Sequence, residues 1–204
     1  MKEKRQQIWA KIPPHVQVCA VTKGRTIAEI ENLLKDLPQI KIIGENRWPD
    51  CEEKFRHFSN LQRHFIGPLQ SNKINKVLPI TDVIQSVDSL DLLQKISARA
   101  AKTIEFTFQV NISNDPNKQG IAPENLRPLI EQSLNLPNTK LIGLMTIGEQ
   151  NNQEKYFTDL KKLFDQINAE YHPMPVLSMG MSDDFETAIK CGATMVRLGS
   201  CLFQ

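Results

Sequence analysis

Two short segments near the C-terminus combine glycine with hydroxyl side chains: Ser178–Met179–Gly180–Met181–Ser182 and Arg197–Leu198–Gly199–Ser200. Near the other end, Lys23 follows the apolar run VQVCAVT. A lysine at the end of an apolar strand projects into a partly desolvated pocket mouth. There its pKa falls and the amine becomes available for Schiff-base chemistry. A solvated lysine that only starts a loop is the competing interpretation. Glycine lets backbone N–H groups approach an anion, and a helix start adds a favourable dipole, so the C-terminal segments predict a phosphate site. The alternative is that Gly180 and Gly199 shape turns while Ser182 or Asp183 caps a helix.

These groups need a scaffold that presents strand ends side by side. Eight β-rich runs recur along the chain, at 16–22, 40–45, 64–67, 82–87, 104–112, 140–148, 175–180 and 194–200. Several are almost continuously apolar, the pattern of parallel strands covered by helices. Helix candidates alternate with them. Thr26 with Glu29 forms a capping box for a helix to Leu37, and further helices cover 49–58, 71–78, 89–101, 123–136 and 152–171. Ser182 or Asp183 opens another that stops at Gly192. Strict alternation implies right-handed crossovers, and eight strands favour closure. The predicted fold class is therefore α/β, one (β/α)8 TIM-type barrel domain over residues 1–204. Barrels of this class run to about 250 residues, and this chain has 204. Little follows the eighth strand, so a helix over residues 2–11 is expected to cover the gap in the outer ring.

In such a barrel the active site lies at the C-terminal strand ends. Those ends carry Lys23, Glu45–Asn46, Gly67, Asp88, Asn111, Thr146–Gly148 and the two glycine–hydroxyl segments. Strand one neighbours strand eight after closure, so a phosphorylated aldehyde could bridge Lys23 and the glycine loops.

Composition narrows the partners. The 25 basic and 23 acidic residues leave a net charge of +2, which argues against nucleic acid or an anionic membrane. No run approaches the roughly 20 apolar residues of a membrane span, and the basic N-terminus lacks the apolar stretch of a signal peptide. Cys19, Cys51, Cys191 and Cys201 have no metal-ligand spacing, consistent with a reducing, cytoplasmic setting.

The segments AVTK (20–23), IGEN (43–46), HFIGPLQSNK (64–73), QVNIS…KQGI (109–121), LIGLMTIG (141–148), LSMGMSDDFETAI (177–189) and VRLGS (196–200) resemble the YggS/PROSC family of pyridoxal phosphate homeostasis proteins. The resemblance implies the barrel domain of alanine racemase and pyridoxal 5′-phosphate (PLP) as cofactor. It implies that Lys23 forms the internal aldimine and that Ser182, Gly199 and Ser200 bind the phosphate. Arg197 would face the pyridine nitrogen, Asn46 would lie beside the ring, and Ile66 and Met179 would pack near it. Buried strand positions are the plainer account of Ile66 and Met179, and an ion pair with Glu45 or Asp88 is the plainer account of Arg197. Arg47–Trp48–Pro49 and Thr22–Lys23–Gly24–Arg25 depart from the family's usual pattern at the pocket rim.

Three functions compete. A racemase-like enzyme needs a second acid/base opposite the lysine, and the only tyrosines, Tyr156 and Tyr171, lie on the long helix 152–171. A sugar-phosphate enzyme could use the same lysine and loops without PLP. The favoured reading is a monomeric PLP carrier that maintains vitamin B6 and amino/keto-acid balance without ordinary turnover, possible recipients being apo PLP-dependent enzymes.

Overall fold

The structure is a computed structural model that describes residues 1–148 and 152–203. Helix α1 (Lys2–Trp9) precedes β1 (Gln17–Val21), after which strands and helices alternate. The order runs α2 (Ile27–Asp36), β2 (Ile42–Glu45), α3 (Cys51–His57), β3 (Gln62–Phe65), α4 (Ile74–Val77), β4 (Val83–Val87) and α5 (Leu90–Arg99). Then follow β5 (Ile104–Gln109), α6 (Leu126–Ser133), β6 (Thr139–Met145), α7 (Gln153–Glu170), β7 (Val176–Ser178), α8 (Phe185–Lys190), β8 (Met195–Leu198) and α9 (Ser200–Phe203). All eight strands pair in parallel with their neighbours, and β8 returns to β1 to close the barrel.

The alternation of side chains across each strand divides the core in two. Outward residues such as Ala20, Ile43, Phe65, Ile84, Phe106, Leu144 and Val196 pack beneath the helices. Inward residues Cys19, Ile42, Val83, Ile142, Val176 and Met195 plug the barrel. The predicted caps form. Thr26 Oγ1 accepts from the Glu29 N–H while Glu29 Oε2 accepts from the Thr26 N–H at 2.8 Å. Ser89 Oγ accepts from the Leu92 N–H at 3.3 Å and starts α5. Gly192, at φ +94°, ends α8 in the left-handed conformation that glycine tolerates.

Three sequence expectations shift. Strand β3 begins two residues earlier than the run 64–67, because polar Arg63 is held by Asp82 through Nε at 2.8 Å and Nη2 at 2.7 Å. Helix α8 starts at Phe185 after Asp184, so Ser182 is not its cap. One helical turn, α9, follows β8, too short to leave a periodic signal. Helix α1 packs on α9 and α2, as the gap in the outer ring required. Its Arg5 is 3% exposed, donating from Nε to the Leu202 carbonyl at 2.8 Å and from Nη1 to Asp36 at 2.7 Å.

A directional polar chain crosses the interior. Arg197 Nη1 donates to Ser178 Oγ at 2.9 Å, Ser178 donates to Gln85 Oε1 at 2.7 Å, and Gln85 Nε2 meets His64 Nδ1 at 2.6 Å. Nδ1 is therefore the acceptor and Nε2 carries the ring proton. Burial pushes the His64 pKa down from 6.5 to about 3, against a smaller opposing effect of Asp82.

Two outcomes test this arrangement. Arg5→Met should lower unfolding free energy by about 2–4 kcal/mol, since two charge-assisted hydrogen bonds are lost; urea denaturation measures it. His64 binds its proton more weakly folded than unfolded, so stability is full above pH 6.5 and drains away as pH falls towards about 3. His64→Gln should flatten that part of the stability–pH curve.

Candidate functional site

Lys23 sits one residue beyond Thr22 in the turn that ends β1, and its side chain is exposed rather than sunk in a desolvated pocket. Gly24 makes the turn with φ +70°. The backbone beneath Lys23 is held tightly. Lys54 of α3 donates through Nζ to the Thr22 carbonyl at 2.8 Å and to Glu45 Oε1 at 2.6 Å. Thr22 Oγ1 donates to the same carboxylate oxygen at 2.7 Å. Glu45 is fully buried on the outward face of β2, and its Oε2 has no hydrogen-bond partner among the described residues. Sequence reading missed Lys54. The available signal was Glu45 itself, because a carboxylate in an apolar strand demands a buried partner.

Closure sets Lys23 beside the last strand. Ala20 pairs with Leu198, and Val21 is the nearest neighbour of a Cβ built on Gly199, at 3.4 Å. Gly199 therefore lies directly against Val21 of β1. Ser182 Oγ accepts from the Gly199 N–H at 3.1 Å and the Cys201 N–H at 3.3 Å. Two backbone donors thus converge on one oxygen, with the exposed Ser200 between them in the chain. Gly180, at φ +90°, brings the preceding loop against α8, where a Cβ would lie 2.5 Å from Ala188 Cβ. Arg25 lies over the Phe203 ring at 5.0 Å and ties the Lys23 turn to α9.

Arg197 points inward between these two ends and is 4% exposed. Besides Ser178, it donates from Nη2 to the Thr146 carbonyl at 2.8 Å. Burial lowers its pKa to about 10, with Cys19 and Asp184 opposing. It remains a cation at neutral pH, and it donates to the neutral oxygens of Ser178 and Thr146. The ion pair with Glu45 does not form, because Glu45 faces the other side of the sheet and binds Lys54. Cys19, alongside, is held as a neutral thiol by burial, its pKa raised to about 12.

Asn46 lies half-buried at the end of β2 and borders a cavity of about 420 Å³. Ile66 is half-buried and packs on the interior plug, facing the mouth. Met179 differs. Ser178 faces inward, so Met179 falls on the outer face of the strand, fully buried in the layer under the helices. The structure thus brings Lys23, Arg197, Ser182, Gly199 and Ser200 to one side of the mouth with Asn46 and Ile66 nearby, and leaves the Met179 side chain behind the sheet.

Comparison with known proteins places this arrangement in a family. Residues 1–204 match the family model described as alanine racemase, N-terminal domain. The pyridoxal phosphate homeostasis protein of Aquifex aeolicus is 41% identical over 174 residues, covering 80% of this chain and 76% of that protein. Its counterpart in Synechocystis sp. is 38% identical over 208 residues, covering 97% and 94%. Among solved structures, PipY of Synechococcus elongatus without PLP superposes with a TM-score of 0.91 at 30% identity, covering 100% of this chain and 99% of that one. PipY with PLP bound gives 0.89 at 28% identity, with the same coverage. The alanine racemase of Clostridium difficile shares the fold, with a TM-score of 0.83 at 16% identity over 98% of this chain and 58% of the racemase. This chain belongs to the pyridoxal phosphate homeostasis protein family, built on the alanine racemase N-terminal domain.

Proposed function

We propose that this protein binds PLP at the barrel mouth, held covalently as a Schiff base on Lys23, and serves as a cofactor reservoir and carrier rather than a turnover enzyme. The observation that carries this reading is the juxtaposition made by β1–β8 pairing: an exposed primary amine beside two backbone N–H groups that already converge on an oxygen. PipY, of the same fold and length, has been solved with PLP bound. The cofactor supplies an aldehyde carbon that condenses reversibly with an amine.

The residues fit the group. Lys23 offers the amine, while the Gly199 and Cys201 N–H groups with the Ser182 and Ser200 hydroxyls hold the phosphate. A phosphate oxygen would take the place that Ser182 Oγ has between the two N–H groups. Arg197, fixed by Ser178 and Thr146, would present a cation to the ring nitrogen, where its charge would disfavour protonation and leave the ring a weak electron sink. Asn46 and Ile66 would lie beside the ring. Met179 contributes from behind the sheet by holding β7 in place.

The positions of the two tyrosines support a carrier role. The tyrosines that could serve as a second acid/base belong to the outer ring: Tyr156 lies on α7, and the Tyr171 hydroxyl donates to Glu131 at 3.0 Å. An exposed Lys23 suits loading and release, with apo PLP-dependent enzymes as recipients. Among the described residues no helix is long and apolar enough to cross a membrane. We place the protein in the cytoplasm, acting as a monomer, with all four cysteines free.

Titrating the apo-protein with PLP should raise the visible absorbance band of a Schiff base, and Lys23→Ala should abolish it. A saturated protein without that band would sink the proposal. Sustained racemisation of an amino acid by the pure protein, lost in Lys23→Ala, would favour the racemase-like alternative instead. Lys54→Met should cost about 3–5 kcal/mol in unfolding free energy by stranding the buried Glu45 charge. Pairing it with Glu45→Gln should restore most of that stability, measurable by chemical denaturation.

A further inference from the structure

The cavity bordered by Asn46 has its own chemistry. It lies between the loops that follow β2 and β3, has a volume of about 420 Å³, and is lined by Arg47, Trp48, Phe65, Gln70 and Lys73 among others. Most arginines of this fold are committed to carboxylates: Arg5 to Asp36, Arg25 to Glu29, Arg56 to Glu52, Arg63 to Asp82 and Arg127 to Glu170. Neither the Arg47 nor the Lys73 side chain is held by an ion pair or hydrogen bond among the described residues. Two cations without counter-ions therefore border one concave space. Beside them the half-buried Trp48 indole supplies apolar surface, with Pro68 and Leu69 also on the lining.

That combination selects a ligand class. A guanidinium offers a planar pair of donors that matches a carboxylate, and an ammonium adds a point charge beside it. The apolar wall would be wasted on inorganic phosphate but suits a short aliphatic body. A nucleic acid needs a continuous basic face, and the net charge of +2 provides none. We propose that this cavity is a binding subsite for a small organic acid, its carboxylate held by Arg47 and Lys73 and its aliphatic body lying against Trp48. The site adjoins the barrel mouth through Asn46 but uses none of the groups assigned to PLP.

Trp48 reports on it directly. The chain has two tryptophans, and Trp9 lies on α1, lining a separate cavity with Pro13 and Gln17. Trp9→Phe therefore leaves Trp48 as the sole emitter. Glutarate titrated into this variant without PLP should change its emission saturably, with inorganic phosphate at least roughly tenfold weaker. Arg47→Gln and Lys73→Gln should each weaken the apparent affinity roughly tenfold or more, the scale of a lost hydrogen bond to a charged group. Thermal melts check that both variants fold; should Arg47→Gln fail that check, Arg47→Lys should give an intermediate weakening, since it keeps the charge and loses the planar donor pair. An emission that glutarate does not saturate would overturn the proposal, as would unchanged affinity in the variants or phosphate binding as tightly as glutarate. PLP is absent throughout, so failure here leaves the Lys23 reading untouched.

Discussion

The pairing of β8 with β1 is the contact on which the rest of the molecule depends. Its register, Gln17 with Met195 through Ala20 with Leu198, joins the two ends of the chain and decides which strand ends face each other. Without it Lys23 and Gly199 would sit on opposite edges of an open sheet. Closure also removes both sheet edges, so every strand finds backbone partners on both sides. The surrounding contacts guard this seam: Arg5 reaches the Leu202 carbonyl, and Arg25 covers Phe203.

Charge is distributed across the sheet according to strand alternation. On β8 the inward position carries Arg197, a buried cation satisfied by a hydroxyl and two carbonyls. On β2 the outward position carries Glu45, a buried carboxylate satisfied by Lys54 and Thr22. Had Glu45 faced inward, the two would neutralise each other inside the barrel. Because the sheet lies between them, the mouth retains a positive group while the backbone beneath Lys23 is clamped from behind. The polar chain to His64 extends the same ordering towards the floor, with every intervening group donating in one direction.

These features bear on what the mouth can do. The lysine is accessible, and its backbone is rigid where Thr22 and Gly24 flank it. The oxygen-binding N–H groups are already aligned by Ser182. An exposed amine and two aligned N–H groups thus lie at neighbouring strand ends. Arg47 and Lys73 extend the positive field beyond the mouth, on loops that the closed barrel holds beside Asn46.

Much of this was legible in the residues. Apolar runs separated by capped amphipathic stretches encode parallel strands and crossover helices locally, so the eight strands, the Thr26–Glu29 box and the Gly192 stop could be read directly. Strand-end position and residue type likewise singled out Lys23, Gly199 and Ser200, while Arg197 drew notice through the family resemblance. Other features were not readable, because they depend on partners far away in the chain. Lys54 looked like an ordinary helix lysine until α3 packed over Glu45. Ser182 looked like a helix cap until α9 placed two N–H groups against it, and Met179 could be assigned to a face only once Ser178 was seen bonded to Arg197 and Gln85. Sequence by itself determined the element order and the chemical types at the strand ends, since those follow from local periodicity and covalent identity. Tertiary structure alone decided which face each side chain took, which buried charges met and how exposed Lys23 became, since those depend on register and closure between segments that the chain does not hold together.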